Sequence, residues 1–296
     1  MKEIKSYTND LVFVILHYNV YKETINCINS IKSKIDTSKF HIVVVDNFSP
    51  NNSGKLLENK YKNDDKVSVI LNKSNIGFAK GNNVGIDYAR QILNPKFICC
   101  LNNDTLLEQD DFFININKEY DKSNAAIIGP KIVLKDNSIQ KFNTKLKTIE
   151  EYKLELDNLI MKKKKTYKEY LKQFKFIKKL NSLRKGILMS KKNYNIRQTN
   201  VVLHGCCLIF TPKFFEKLNG FNLKTFMFRE EELLYIDIMK NNLISVYLPV
   251  IKIRHLEDVA TDSIYKNFNE KDKFLRDNQI ESLKVLIKVM EETKKR

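Results

Sequence analysis

The stretch FICCLNNDT, Phe97 to Thr105, runs five mostly apolar residues straight into two amides and a carboxylate. A buried strand that ends on Asn102, Asn103 and Asp104 presents those groups to something beyond its carboxyl end. The pattern recurs upstream. FHIVVVD, Phe40 to Asp46, ends on Asp46 before the turn-like NFSPNNSG, and the apolar run Leu11 to Leu16 leads into Tyr18 and Asn19. One aspartate after a strand is an ordinary turn former. A polar set repeated at successive strand ends reads instead as a binding cleft, whose carboxylates can accept N–H groups or hold a hard cation.

The elements that position these groups follow from periodicity. Strand-like runs at Leu11–Leu16, Phe40–Asp46, Lys66–Asn72, Phe97–Leu101 and Ala125–Val133 alternate with helical segments. Those segments are Tyr21–Lys34, Lys55–Tyr61, the stretch opening GFAKGNNVG, and Asp110–Tyr120;. The alternation implies a largely parallel sheet covered on both faces, with ligands beyond the carboxyl ends of its strands. Further on, VVLHGCCLIF reads as a strand pair or as one strand interrupted by Gly205, and TPKFFEKLNGF as a short helix stopped at Gly220. TFMFREEELLYIDIMKNN reads as a helix beginning in its run of three glutamates, LISVYLPVIKIRH as a strand pair and LEDVATDSIYKNF as a polar loop. Asp272–Lys295 is expected to be helical, with Ile280, Leu283, Leu286, Ile287 and Met290 as its apolar stripe;.

Composition excludes several classes. A chain of 296 residues can bury a sizeable core, and 43% hydrophobic with 29% charged residues describe a soluble globular protein;. No apolar run approaches the ~18–20 residues of a membrane span, and the polar start MKEIKSYTND is not a secretory signal;. Five cysteines, none spaced C-x-x-C, read as small hydrophobes in a reducing compartment, so the expected location is the cytosol;. The net charge of +17 is concentrated, since residues 145–192 hold 16 Lys and Arg against 5 Asp and Glu. Within them Tyr167, Tyr170, Leu171, Phe174, Ile177 and Leu180 recur at helical spacing with lysines on the other face. That pattern is an amphipathic helical insert, either docked on the core or lying against an anionic membrane surface.

Taken in order, the motifs resemble those of the family 2 glycosyltransferases, particularly rhamnosyltransferase-like members that extend bacterial surface polysaccharides. The chain has Tyr18-Asn19, VVVDNFS (Val43–Ser49), NIGFAKGNNVG (Asn75–Gly85), LNNDT (Leu101–Thr105), NGF (Asn219–Phe221), REEEL (Arg229–Leu233) and Arg254-His255. One such motif is weak; the ordered set, across roughly residues 11–260, is specific. The resemblance implies an α/β fold of GT-A type: a mixed, mostly parallel sheet flanked by helices, in which a Rossmann-like nucleotide half merges with an acceptor half. On that frame residues 1–135 form the nucleotide-sugar-binding half, 136–200 the basic helical insert, 201–262 the acceptor and catalytic half, and 263–296 a C-terminal helix, all of a single domain.

The resemblance also implies roles. Breaking a sugar–diphosphate bond leaves charge on the leaving group, which a divalent ion with oxygen ligands stabilises. Asp104 corresponds to the carboxylate that holds Mg²⁺ or Mn²⁺, and His255 to a further metal ligand. Asn102, beside Asn103, stands where many relatives carry a first aspartate and is placed to bond the ribose; one carboxylate in place of two weakens the metal site. Asp46 corresponds to the contact with the imide N–H of uracil or thymine, with Tyr18 flanking the base and Asn19 beside it. In the glycine-rich loop, Gly77 and its fellow glycines serve close backbone approach to the nucleotide or tight packing, and Asn75, Asn82 and Asn83 supply amides. A general base that takes the acceptor proton falls at Glu230 or Glu231, with Glu231 preferred. Clustered carboxylates raise at least one pKa, which suits a base, although glutamates at a helix start also simply complement its dipole. Leu233 replaces a last aspartate of the relatives' acidic cluster.

The expected activity is therefore an inverting transfer from a UDP- or dTDP-sugar onto a saccharide, plausibly a polyprenyl-linked surface glycan at the inner membrane face. Two rivals remain. A nucleotidyl transferase needs a glycine-rich basic loop after the first strand, which HYNVYKET does not provide. A nucleic-acid-binding protein needs aromatics interleaved with arginine, whereas in the basic insert lysine dominates, so no nucleic acid is expected.

Overall fold

The structure is a computed structural model that describes residues 6–164, 194–256 and 268–294. Its first half alternates as the periodicity requires: β1 (Asn9–His17), α1 (Tyr21–Lys34), β2 (Phe40–Asp46), α2 (Ser53–Tyr61), β3 (Val67–Leu71), α3 (Phe78–Tyr88) and β4 (Pro95–Asn102). There follow β5 (Thr105–Leu107), α4 (Phe112–Ser123), β6 (Ile127–Leu134) and α5 (Ile149–Lys164). The remainder comprises β7 (Gln198–Thr199), β8 (Cys207–Phe210), α6 (Pro212–Phe215), α7 (Glu230–Lys240), β9 (Ser245–His255) and α8 (Phe268–Lys294).

All nine strands join one sheet in the order β3-β2-β1-β4-β8-β6-β9-β5, with β7 also on β9. The first four are mutually parallel, so their carboxyl ends share one edge: His17 lies opposite Asp46, and Leu16 opposite Asn102. Strand β8 runs antiparallel to both β4 and β6, and it carries the sheet into the mixed second half. Because a strand's side chains alternate, neighbours feed two cores. Leu11, Phe13, Ile15, Ile42, Val44, Phe97 and Cys99 pack on one face, against α1 and α4. Val12, Val14, Val43, Val45, Ile98 and Cys100, joined by Leu208 and Phe210 of β8, pack on the other, against α3. Cys99 and Cys100 thus enter opposite cores, and all five cysteines are buried and free.

Two local expectations change. The apolar run Val201–Leu203 is buried but belongs to no strand. The Val201 N–H binds Ser245 Oγ and the Val202 N–H binds the Thr144 carbonyl, so side-chain and loop acceptors replace a ladder;. Second, LISVYLPVIKIRH is one strand, β9, whose register against β6 slips between Pro130 and Lys131 as Pro249 passes without an N–H to donate;. Helix α7 starts at Glu230, in the run of three glutamates as expected, because Phe228 and Arg229 just before it both adopt left-handed backbone.

A third apolar cluster joins α5, α7 and α8 through Ile149, Tyr152, Leu233, Ile236, Leu283, Leu286 and Ile287. The C-terminal stripe read from the sequence is therefore what faces the protein. From the insert, α5 docks on the core; the stripe from Tyr167 to Leu180 lies outside the described residues, as does most of the loop after Leu256. Among the described residues no helix is long and apolar enough to cross a membrane.

Helix α3 lies so close on the sheet that a Cβ at Gly85 would approach Val14 Cγ1 to 2.4 Å and Val45 Cγ2 to 3.1 Å. Gly85→Ala is expected to lower stability in urea unfolding by about 1–3 kcal/mol through overpacking. Adding Val14→Ala should return part of that loss, a non-additivity that marks direct contact.

Candidate active site

The strand-end residues of the parallel half are held by a buried polar network. His17 is fully buried; its Nδ1 donates to Thr24 Oγ1 at 2.7 Å and its Nε2 accepts from Ser53 Oγ at 2.8 Å. The tautomer follows from Thr24, whose own hydroxyl donates to the Val20 carbonyl and is left to accept;. Burial pushes the His17 pKa down to about 4, against the pull of Asp46, so the ring is a neutral brace. Asn103, also buried, donates to the same Thr24 oxygen at 3.1 Å, which spends its amide on tying β4 to α1.

Asp46 organises the loop that follows it. Its carboxylate accepts the Ser49 N–H at 3.2 Å and the Ser49 hydroxyl at 2.5 Å, and Gly54 leaves it room, since a Cβ there would fall 2.2 Å from Oδ2. Ser49 in turn accepts the Asn19 N–H at 2.9 Å. Asn19 is left-handed, its Oδ1 is buried without a hydrogen-bond partner, and Tyr18 beside it is half-buried.

The glycine-rich loop is a clasp between the two halves. The Asn47 amide donates to Asn75 Oδ1 and to the Gly77 carbonyl, and its oxygen accepts from Ile76 N–H and Asn72 Nδ2. Asn83 grips Phe221 from both sides, donating to its carbonyl at 2.9 Å and accepting its N–H at 2.8 Å. Gly77, at φ 85°, passes so near Phe226 that a Cβ would sit 2.3 Å from its carbonyl, while the Phe78 N–H donates to that carbonyl at 2.8 Å. Asn82 is buried and donates to the Phe78 carbonyl. In the structure Asn82 and Asn83 thus turn these amides to the protein's own backbone, and the close approach made by Gly77 is tight packing, one of the two roles expected of it.

Asp104 and His255 meet across the sheet's far edge. Strand β5 pairs antiparallel with β9, Thr105 opposite His255, and the Leu256 N–H returns to the Asp104 carbonyl at 2.9 Å. The result sets His255 Nε2 3.3 Å from Asp104 Oδ1. His255 Nδ1 donates to Gln140 Oε1 at 2.9 Å, which leaves the Nε2 lone pair facing the carboxylate;. Oδ1 is buried and has no hydrogen-bond partner. Facing each other at 3.3 Å, His255 Nε2 and Asp104 Oδ1 are placed so that one cation could be shared between them. Among the described residues no group of three or more His, Cys, Asp or Glu is arranged around a metal position.

The glutamates open onto a cleft of about 470 Å³ lined by Asn102, His204, Gly205, Phe78 and Glu230–Glu232. Glu231 Oε1 accepts the Gly205 N–H at 3.1 Å, and a Cβ at 205 would lie 2.3 Å from that oxygen, so a side chain there would push the Glu231 carboxylate aside. Burial, then repulsion from Glu232, pushes the Glu231 carboxyl up to about 7. Burial, then Glu231, raises its neighbour Glu230, which accepts only a long bond from Thr225. Both groups resist ionisation, as a proton acceptor working near neutrality must. Glu232 pairs instead with Arg229 at 2.9 Å, and the other arm of that guanidinium reaches Glu155 of α5. The insert thereby touches the residue that precedes the glutamates.

Asn102, Glu230 and Glu231 share the cleft, whereas Asp104 and His255 adjoin it through the His204 ring, 6.0 Å from that of His255. Sequence reasoning missed Gln140, Glu155, Asn47 and His204. Gly205 interrupting an apolar run was a signal for a close approach; Gln140 and Glu155 carry none, being brought in only by tertiary folding.

A parallel four-stranded half, an antiparallel bridge and an acidic helix over a shared cleft define the GT-A type of glycosyltransferase. The model of Glycosyl transferase family 2 matches residues 12–218, and the chain belongs to that family. Among solved structures, that of S. aureus TarS 1-349 in complex with UDP-GlcNAc is similar at a TM-score of 0.51 and 16% identity, over 86% of this chain and 61% of that one. The same TarS segment without that ligand in its description gives 0.51 and 15%, over 83% and 60%. GalNAc-T7 with UDP, GalNAc and Mn²⁺ gives 0.56 and 13%, over 85% and 44%. The chain spans less than two thirds of the length of each. A search of curated protein sequences found no match.

Glu231→Gln keeps an acceptor for Gly205 and removes the titrating group. It is expected to lower sugar transfer by about 10²–10⁴-fold, the usual worth of a general base. Its stability should change in the opposite sense. The folded-state pKa of about 7 lies above the ordinary 4.5, so the stability held below 4.5 is lost as pH rises through about 7;. The melting temperature of the variant should therefore fall less than that of the wild type between about pH 5 and about pH 8, as calorimetric melts will read.

Proposed function

We propose that the protein is an inverting glycosyltransferase that moves a sugar from a UDP- or dTDP-sugar onto a saccharide acceptor. The observation that carries this reading is Asp104 Oδ1, buried without a hydrogen-bond partner and facing His255 Nε2 at 3.3 Å. A carboxylate so buried is costly unless a cation compensates it. The pair fits Mg²⁺ or Mn²⁺, with the imidazole favouring a transition ion, and two protein ligands leave positions for diphosphate oxygens. When bound, such an ion stabilises the charge that grows on the departing diphosphate. UDP-GlcNAc in the TarS structure and UDP with Mn²⁺ in the GalNAc-T7 structure support a uridine nucleotide donor.

The chain's own residues have distinct tasks. Glu231 takes the proton of the acceptor hydroxyl as that oxygen attacks the anomeric carbon; the carbon–phosphate oxygen bond breaks on the opposite side, and the bond electrons leave with the nucleoside diphosphate. With one base and no second carboxylate assigned as nucleophile, a single displacement inverts the anomeric centre. Glu230, raised in pKa beside it, keeps the pair from ionising together;. Asp46 accepts the imide N–H of the base beside Tyr18 and Asn19, Asn102 and Asn103 mark the ribose side of the cleft, and the Asn75–Gly77 turn borders the nucleotide. The acceptor is a surface glycan on a polyprenyl carrier, and the lysine-rich segment 145–192 holds the enzyme at the inner membrane face by charge attraction.

Calorimetric titration of UDP and dTDP, each with and without Mn²⁺, tests the donor site. Wild type should bind one nucleotide in a metal-dependent manner, and Asp104→Asn should weaken that binding by at least about tenfold, comparable with loss of a charge-assisted contact. Absence of binding for both nucleotides under all conditions would remove the donor-site assignment.

A further inference from the structure

We propose that His204 is a specificity residue whose Nε2–H donates a hydrogen bond to an oxygen of the transferred sugar. The inference rests on the donor-site reading above. His204 lies in the loop before β8, and its ring lines the cleft together with Asn102, Gly205 and Glu231. Its neighbour Gly205 holds Glu231 by the N–H bond at 3.1 Å, and its ring meets that of His255 at 6.0 Å in an edge-to-face arrangement. The residue therefore borders both the base and the Asp104–His255 pair.

The two histidines are held in opposite tautomers. Nδ1 of His255 donates to Gln140, leaving Nε2 as a lone pair. Nδ1 of His204 accepts the Cys206 N–H at 3.2 Å, so its ring proton resides on Nε2;. A protonated nitrogen cannot ligate a cation, and His204 is thereby excluded from the metal set. That Nε2–H has no protein acceptor among the described residues, while the Phe142 ring packs against the imidazole at 5.6 Å and fixes its plane. A fixed N–H on a residue that lines the cleft can donate to an oxygen of a ligand bound there;.

Which oxygen follows from the reaction. The bond that breaks joins the sugar to the diphosphate on the metal side, and the bond that forms joins it to the hydroxyl on the Glu231 side. Only the transferred sugar spans the two, so a donor bordering both faces that sugar. The ligand is a hydroxyl or an acyl carbonyl oxygen of a hexose.

The test is calorimetric titration, with Mn²⁺ present, of UDP, dTDP, UDP-glucose, UDP-N-acetylglucosamine and dTDP-glucose into wild type, His204→Phe and His204→Asn. The phenylalanine keeps the ring packing on Phe142 and deletes the N–H; the asparagine restores a donor. His204→Phe should leave the affinity for the free nucleotide unchanged and raise the ratio of nucleotide-sugar Kd to nucleotide Kd by about three- to tenfold, the worth of one hydrogen bond. His204→Asn should recover part of it. Equal weakening of nucleotide and nucleotide-sugar would mean that His204 serves the diphosphate, and an unchanged ratio would mean that it contacts no ligand; either overturns the proposal. If wild type binds no nucleotide, the donor-site reading fails first and this inference falls with it. If nucleotides bind and only the ratio is unaffected, the donor site stands and the His204 assignment alone is lost.

Discussion

The antiparallel pairing of β5 with β9, Thr105 opposite His255 and Leu107 opposite Ile253, sets the separation across which Asp104 and His255 face each other. It is a short ladder, three residues on the β5 side, yet it joins a turn at the end of the parallel half to a strand that arrives some 150 residues later in the chain. Thr105 is fully buried, and its hydroxyl closes the turn onto the Asn102 carbonyl at 2.6 Å. Asp104 is thus buried by backbone pairing before any ligand compensates its charge. Burial of a carboxylate costs several kcal/mol unless a partner offsets it, so the ladder stores at this edge a demand for a cation. Gln140 fixes the ring through Nδ1, so that Nε2 is the nitrogen turned toward the acid.

The second half reaches the site through contacts that look incidental one at a time. Asn83 holds Phe221, Gly77 admits Phe226, and Gly205 offers its N–H to Glu231. Each uses a residue with no side chain or a short amide, since the backbone of one half must come within bonding distance of the other. The left-handed Phe228 and Arg229 then turn the chain so that α7 begins at Glu230, with three carboxylates in its first turn. The helix dipole welcomes negative charge there, yet burial of Glu230 and Glu231 overrides it and raises both. A site that raises a carboxyl toward neutrality gives up some stability at higher pH for a proton acceptor of greater strength;.

The parallel half was legible because its information is local. Leu11–Leu16, Phe40–Asp46 and Phe97–Leu101 are continuous apolar runs, and continuous runs mean strands covered on both faces. The ends of those strands located Asp46 and Asp104, and the ordered motifs located Glu231 and His255. Val201–Leu203 misled because the same apolar composition is buried by a loop whose N–H groups find Ser245 Oγ and Thr144. The glycine-rich loop was legible in kind but not in partner: its glycines were expected at a close approach, to a nucleotide or within the protein, and Gly77 approaches Phe226 while the Asn83 amide grips Phe221. Strand β5 was too short to show a period, and Gln140 and Glu155 reach the site only through contacts far apart in sequence, which no local pattern encodes.

If Asp104 and His255 share one divalent ion, electron spin-echo spectroscopy of Mn²⁺ bound together with UDP will show modulation from one imidazole nitrogen in the wild type, lost in His255→Ala and kept in His204→Phe. Absence of nitrogen modulation in the wild type, or its persistence without His255, would contradict the claim and leave the buried carboxylate of Asp104 to another partner.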